Sequence, residues 1–237
     1  MKCQCCGHEM ALFKNYKKTY VCQACKHTYW NWQKSDQEIK EYYDSWRIKE
    51  KPIAKEDRIK WSKNICEFVK SSSIDLNNKK VLEIGAFDGT MSRTLLENFK
   101  DSEVHLNEID TNSCKKYLFS EFKNVYNVNF KNLEGEFDCL VAIDVLEHFD
   151  NLQEFVDKVN ELKFEYLVFQ VPYQRPRHLK TDKLDFHPHY HMFSKDSIIK
   201  LFKKDFILSN WRSTPHQYSA KGPEQICVFK RRKNVIV

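Results

Sequence analysis

No stretch of the 237-residue chain approaches the roughly 20 consecutive apolar residues that a bilayer-crossing helix needs. A helical membrane span is therefore excluded as an organising element. The N-terminus is polar, with two cysteines in its first five positions, so no secretory signal is read there. A cytoplasmic location without a membrane partner is the expectation. There is no internal repeat and no low-complexity tract, which excludes a repeat architecture. Long runs of one charge are missing as well, although the formal net charge is +6. Compact basic patches occur only at 14–18 and 229–233, and a solvated surface accounts for them as well as nucleic-acid contact would. What remains, 41% hydrophobic and 30% charged residues, is the composition of an ordinary globular protein. The length suits one well-packed domain plus a small appendage.

The nine cysteines are unevenly placed. Cys66, Cys114, Cys139 and Cys227 are scattered singly among mostly apolar neighbours, as buried small hydrophobes in a reducing compartment are. The other five lie within the first 25 residues. Cys3 and Cys6 form one C-x-x-C pair followed by Gly7, and Cys22 and Cys25 form a second, with 15 residues between the pairs. Two such turns brought face to face by a hairpin present four thiolates to one tetrahedral ion, so structural zinc is expected and the segment resembles a zinc ribbon. Four sulfur ligands leave no open position for catalysis. A segment of about 30 residues has little core of its own, and metal binding would supply much of its folding energy. Cys5, His8 and His27 stand nearby as substitute ligands. Short strands are predicted at 11–13 and 19–21.

Beyond this ribbon, Tyr29, Trp30 and Trp32 form an aromatic patch suited to docking it on the main body. Helices are predicted over 34–44 and 55–70, separated by a break at Pro52. From residue 80 the pattern changes to alternating strands and helices. Strands are predicted at 81–84, 104–109, 125–128, 137–143 and 166–171, with helices at 90–99, 113–122 and 152–162 between them. A further helix is expected from 194 or 195 to 202, then closing strands at 206–211 and 225–230. Such βαβ units imply an α/β fold: a Rossmann-like, mostly parallel sheet flanked by helices, with a small N-terminal zinc ribbon. The predicted organisation is a ribbon at 1–30, a helical linker or lid at 31–78 and the main domain at 79–237.

The first strand of that domain runs into Gly85-Ala86-Phe87-Asp88-Gly89. Gly85 permits a sharp turn at the strand end and Gly89 a close approach at the helix start. No G-K-[ST] follows, which argues against a phosphate-cradling P-loop. Glu83 lies inside the strand, and Glu108 ends the next strand 23 residues after Gly85, where an acidic side chain can accept both ribose hydroxyls.

Glu83-x-Gly85-x-x-x-Gly89, Glu108-Ile109-Asp110, and Phe137-Asp138-Cys139-Leu140-Val141 leading into Asp144-Val145-Leu146-Glu147-His148 occur in this order. Together they resemble the motifs of class I S-adenosylmethionine-dependent methyltransferases, in the small-molecule and ubiquinone-type branch. His189-Tyr190-His191-Met192-Phe193-Ser194 is similar to a histidine-rich segment that follows the fifth strand in that branch. The resemblance covers roughly 80–206. Phe87 departs from it, since the family often has glycine there. Gly-Ala-Phe-Asp-Gly is closer to the loop of some sugar C-methyltransferases, which also carry cysteine-rich zinc domains, although the ribbon here is shorter and their C-terminal extension is missing.

The resemblance implies that the loop backbone, including Ala86 and Phe87, passes beside the methionine moiety of S-adenosylmethionine, with Glu83 near its ammonium group. Glu108 would hold the ribose, with Asp110 in reserve, and adenine would lie near Asn129 or Phe130; Asp144 completes the cofactor set. Two plainer readings stand beside these: Phe87 and Phe130 as core aromatics, and Asp110 as the N-cap of the next helix. Methyl transfer needs donor and acceptor held in line. If a general base is needed, His148, His189 and His191 are the candidates, with His187 nearby. Substrate contact or loop structure is favoured over metal binding for the last three. Tyr173, Arg175, Arg177 and His178 follow the fifth strand and are candidates for the acceptor pocket; Tyr42, Tyr43 and Trp46 are candidates for a lid. The implied reaction is methylation of a small polar metabolite, such as a sugar or saccharide precursor. The alternatives are methylation of tRNA or rRNA and a non-catalytic cofactor-binding protein. No Asn-Pro-Pro-Tyr tetrad accompanies the RNA reading.

Overall fold

The computed structural model describes residues 1–13, 19–31, 55–173, 189–214 and 224–233. The expected helix over 34–44, Trp32, the lid aromatics Tyr42, Tyr43 and Trp46, and Arg175, Arg177, His178 and His187 lie outside these residues. Among the described residues, no helix is long and apolar enough to cross a membrane.

Among the described residues, eleven strands build two sheets. β1 (Met10–Leu12), β2 (Thr19–Cys22) and β3 (Thr28–Trp30) form the ribbon. β4 (Lys80–Ile84), β5 (Glu103–Asn107), β6 (Val125–Tyr126), β7 (Cys139–Ile143) and β8 (Tyr166–Pro172) follow. After β9 (His191–Met192), the long strands β10 (Phe206–Thr214) and β11 (Glu224–Arg231) close the main domain. The main sheet has seven strands in the order β10-β11-β8-β7-β4-β5-β6. The run from β8 to β6 is parallel, and β11 and β10 are antiparallel at one edge.

Patterning explains the layers. The central strands are apolar on both faces, as strands covered by helices on two sides must be. Leu82, Leu140, Leu167 and Phe169 face one core, while Val81, Cys139, Val141 and Val168 face the other. α1 (Lys55–Ser71) and α2 (Thr90–Asn98) cover the second face through Ile65, Cys66, Val69 and Leu95. α3 (Leu152–Glu161) and α4 (Lys195–Phe202) cover the first. There the packing is dominated by phenylalanine: Phe169 stacks on Phe202 at 5.0 Å, and Phe202 also meets Phe229 at 5.4 Å. The helix expected over 113–122 is shorter and distorted, a single turn at Thr111–Ser113 continuing into the π-helical Cys114–Leu118.

The chain enters the sheet at β4, builds outward to β6, then returns to place β7 on the other side of β4. Connections at the carboxyl ends of β4 and β7 therefore leave in opposite directions. That divergence opens a crevice, the usual ligand position in open α/β sheets.

The ribbon is joined to this body through backbone pairing. β3 pairs antiparallel with β9, Thr28 opposite Met192 and Tyr29 opposite His191, so a strand from the main domain completes a four-stranded sheet in the order β1-β2-β3-β9. Gln4 receives the Leu152 amide at the start of α3, and the Tyr29 hydroxyl donates to Asp150 at 3.1 Å. The Ser194 hydroxyl, which caps α4, donates to the Cys25 carbonyl.

Candidate active site

The loop after β4 is shaped by contacts that only glycine tolerates. Gly85 has φ 70°, and a Cβ there would stand 2.5 Å from Cγ2 of Val145. Gly89 has φ 74°, and its Cβ would meet the Phe122 ring at 2.6 Å. Between them Phe87 also adopts positive φ, 47°, without being glycine. Such a conformation costs about 1 kcal/mol or more and tends to be kept where function or surrounding structure demands it. The Phe87 ring is 41% exposed, so the plain core-aromatic reading does not hold for it. Arg58 of α1 pairs with Asp88 at 2.8 Å and lies 5.9 Å from the Phe87 ring, which ties α1 to the loop.

Glu108 joins the ends of β4 and β5. One carboxylate oxygen accepts from the Phe87 amide at 2.9 Å and the other from the Asp110 amide at 2.8 Å. Glu83 lies buried beneath the loop and accepts a hydrogen bond from the Ser92 hydroxyl of α2. Burial pushes its carboxyl up to about 8, the Ser92 hydrogen bond opposing and the Asp88 and Glu108 charges reinforcing that rise. Ala86 is buried, and its amide donates to the Asn107 carbonyl beside that of Gly85.

Three of the cofactor candidates have structural partners within the protein. The Asp110 carboxylate caps the following turn by accepting from the Ser113 amide at 2.8 Å, as the N-cap reading anticipated. Phe130 is a core aromatic, 5.2 Å from Phe155 and 6.0 Å from Phe149. Asn129 is exposed, but its side chain accepts from the Lys131 amide and serves as a turn cap. Two exposed apolar side chains lie near this corner: Ile109, next to Glu108 in the chain and 66% exposed, and Val128, whose carbonyl accepts from the Asn107 side-chain amide. The Asn127 amide holds this corner by donating to the Glu108 and Ile109 carbonyls at 2.7 and 3.1 Å.

Across the crevice, the segment after β7 is acidic. Asp144 has φ 54°, a second non-glycine residue in the left-handed region, here too at the end of a central strand. The Gln170 amide donates to Glu224 at 2.6 Å and lies 3.4 Å from Asp144. Burial first, then the Glu224 charge, push Asp144 well above the usual carboxylate range; burial and the Asp144 charge do the same to Glu147. Glu147 is fully buried, and neither of its oxygens accepts a hydrogen bond among the described residues. One oxygen lies 4.0 Å from Nε2 of His148 and 3.8 Å from Nε2 of His189. The two imidazoles meet edge-on at 4.8 Å and remain partly exposed. Tyr173 at the end of β8 packs edge-on against Trp211.

His191 belongs elsewhere, and its catalytic expectation gives way to a structural one. Its ring is 1% exposed, with Nε2 2.8 Å from the Phe149 carbonyl and Nδ1 3.0 Å from Nε2 of His27. A carbonyl only accepts, so Nε2 of His191 carries the proton and Nδ1 receives one from His27. Nδ1 of His27 lies 3.3 Å from the Cys3 sulfur. This line runs from the cysteine cluster into the main domain, and no open face is left for a substrate.

The four thiols of Cys3, Cys6, Cys22 and Cys25 converge, with all sulfurs within 4.8 Å of one another. Cys3 and Cys25 are 3.6 Å apart and Cys6 and Cys22 3.5 Å apart. Tetrahedral zinc with bonds of about 2.3 Å sets its sulfurs about 3.8 Å apart, so this donor set fits that ion. Cys5 is buried beside Cys3, and Cys3, Cys5 and His27 form a second convergent group.

Comparison with known proteins agrees with this geometry. A family model described as a methyltransferase domain matches residues 54–205. No curated protein sequence matches the chain significantly. Among solved structures, the chain is similar to magnesium protoporphyrin IX methyltransferase from Synechocystis with bound S-adenosylhomocysteine, at 13% identity and a TM-score of 0.60, over 84% of this chain and 100% of that one. It is also similar to the N-methyltransferase NodS from Bradyrhizobium japonicum, at 15% identity and a TM-score of 0.56, over 83% and 98% of the two chains. A proposed RNA methyltransferase from Pyrococcus horikoshii aligns at 16% identity and a TM-score of 0.54, over 73% and 85%. These identities show a shared fold.

Two outcomes follow from the loop. Gly85→Ala must relieve both a left-handed backbone and the Val145 contact; it is expected to lower stability by about 1–3 kcal/mol and to weaken S-adenosylhomocysteine binding at least about tenfold, read by urea melts and calorimetry. Glu83 has an ordinary carboxyl value of 4.5 and a folded value of about 8, so the folded state holds a proton that the unfolded state has released between them. The stability from this group is full below the lower value and is lost as pH rises through the higher one. Unliganded protein should lose up to on the order of 4 kcal/mol from this source between about pH 4.5 and about pH 8. Glu83→Gln should flatten that slope; an unchanged slope in urea melts across the window would remove Glu83 as its cause.

Proposed function

The chain belongs to the methyltransferase-domain family and is an S-adenosylmethionine-dependent methyltransferase; from that premise we propose that its methyl acceptor is a small, hydroxyl-bearing metabolite of the saccharide-precursor kind. The observation that carries this reading is the acidic group of half-buried Asp144 with buried Glu147 and Glu224 beside the cofactor loop. Carboxyl groups there accept hydrogen bonds from hydroxyls and disfavour the phosphates of a nucleic acid. The RNA reading rests on the ribbon and the net charge of +6, neither of which bears on the crevice.

In the cofactor half, the Gly85–Gly89 backbone takes the methionine moiety, with Glu83 as the counter-charge for its ammonium group. Glu108 takes the ribose hydroxyls on the carboxylate oxygens that now hold the Phe87 and Asp110 amides. The exposed faces of Ile109 and Val128 take adenine. The sulfonium methyl then points toward the segment 144–148. His148 and His189, the partly exposed imidazoles over Glu147, are the acceptor-side groups. Transfer needs the acceptor lone pair in line with the methyl–sulfur bond, so positioning is the main catalytic contribution.

The ribbon is proposed to hold one structural zinc through Cys3, Cys6, Cys22 and Cys25. Freshly purified protein should contain one tightly held zinc per chain by elemental analysis. Cys22→Ser should lose it and lower the thermal midpoint; full zinc retention would assign the ion to Cys5 and His27. For the cofactor, Glu108→Ala should weaken S-adenosylhomocysteine binding by about 10–100-fold, because the ribose hydroxyls then have no carboxylate to receive their charge-assisted hydrogen bonds. A labelled-methyl screen of metabolite pools against RNA decides the acceptor: label in a small polar fraction supports the proposal, and label in RNA alone refutes it.

A further inference from the structure

Glu147 is a fully buried carboxyl whose oxygens accept no hydrogen bond among the described residues. Burying such a group without a partner costs several kcal/mol, and native folds rarely tolerate it without a reason. Besides its own backbone amide, two imidazole nitrogens face it, Nε2 of His148 at 4.0 Å and Nε2 of His189 at 3.8 Å, both approaching the same carboxylate oxygen. Those separations are too long for hydrogen bonds. They suit a shared ion. With metal–nitrogen and metal–oxygen bonds of about 2.0–2.2 Å, two ligands of one cation stand between about 3.4 Å at the tetrahedral angle and about 4.2 Å when opposed. The three donor atoms all lie within 4.8 Å of one another.

We infer that Glu147, His148 and His189 form a second metal site, distinct from the cysteine cluster, that takes a divalent transition-metal cation. Two imidazoles and one carboxylate are the donor set of open, catalytic-type sites rather than closed structural ones. Asp144 and Glu224 add their negative potential to Glu147 from behind. The site is held from both sides: the Tyr190 amide donates to the Glu147 carbonyl at 2.8 Å and the Trp30 amide of the ribbon donates to the Tyr190 carbonyl at 2.8 Å, which sets His189 over Glu147. Val145, two residues before Glu147, touches the Gly85 position, so the cation lies on the acceptor side of the cofactor loop.

Three protein ligands leave positions for an acceptor oxygen. Resting on the methyl-transfer reading, the role of the site is to bind and acidify that hydroxyl. Its proton passes to solvent; the oxygen lone pair forms the new bond to the methyl carbon as the carbon–sulfur bond breaks. That electron pair stays on sulfur, leaving a methyl ether and S-adenosylhomocysteine. The acceptor class narrows to molecules offering a chelating pair of oxygens, such as a vicinal diol or a hydroxy acid.

The test titrates cobalt(II) into the full chain with its ribbon loaded with zinc, followed by calorimetry and visible absorption. Expected is one further equivalent of cobalt(II) per chain, with ligand-field bands and no sulfur charge-transfer band. Glu147→Gln and His189→Ala should each weaken it at least about tenfold, while zinc content and S-adenosylhomocysteine binding stay as in the wild type. His189 is partly exposed, so its variant serves if Glu147→Gln fails to fold. No further equivalent, undiminished uptake by both variants, or a sulfur charge-transfer band would overturn the site, leaving the imidazoles to bind the acceptor directly. Loss of S-adenosylhomocysteine binding in the wild type would instead count against the cofactor reading while the metal result stood.

Discussion

Everything at the carboxyl edge of the sheet depends on how closely the chain leaving β4 approaches the chain leaving β7. Gly85 and Val145 touch with no room for a Cβ at the glycine. Both exits turn through the left-handed region, at Gly85 and Phe87 on one side and at Asp144 on the other. A side chain between them would push the two loops apart and fill the crevice they border. The positive φ values are held by neighbours: the Gly85 and Ala86 amides bond the Asn107 carbonyl, the Phe87 amide bonds Glu108, and the Asp144 amide bonds the Gln170 carbonyl. Strain in the loops is thus set against hydrogen bonds to strands that are themselves fully buried.

The ribbon is part of this arrangement and not a separate appendage. A four-stranded sheet that takes its last strand from the main domain makes the position of β9 depend on β3. The hydrogen-bonded line from Cys3 through His27 and His191 to the Phe149 carbonyl crosses the same boundary with side chains. Histidine suits that role because one of its nitrogens can donate while the other accepts. Burial, and then the neighbouring His27, hold His191 well below the usual imidazole range, which keeps it neutral and able to accept. The cysteine cluster and the segment that carries His189 and His191 are joined in this way.

The crevice itself is divided by charge chemistry. On the β5 side the Glu108 carboxylate accepts from two backbone amides, those of Phe87 and Asp110. On the β7 side half-buried Asp144 and buried Glu147 lie close to Glu224, and both carboxyls are pushed toward their protonated forms. A positively charged cofactor that becomes neutral on reaction fits between two acidic walls.

Much of this was legible in the sequence for a simple reason: periodicity and spacing are local. Alternating apolar strands and helices predicted the main-sheet elements to within a few residues, missing mainly where a π-helical turn replaced a regular helix at Cys114–Leu118. Two C-x-x-C pairs and a glycine loop named the cysteine cluster and the cofactor turn because those chemistries depend on short spacings. Three histidines within five residues, 187–191, looked alike in one dimension. Only the tertiary structure separated two of them: His191 lies in β9, paired with β3, and meets His27 in the ribbon contact, while His189 precedes that strand and stands over Glu147. The same holds for Glu147, unremarkable beside His148 until folding buried it against a residue 42 positions away. Local chemistry belongs to the sequence; which side chains share a buried space is decided by strand pairing across long separations.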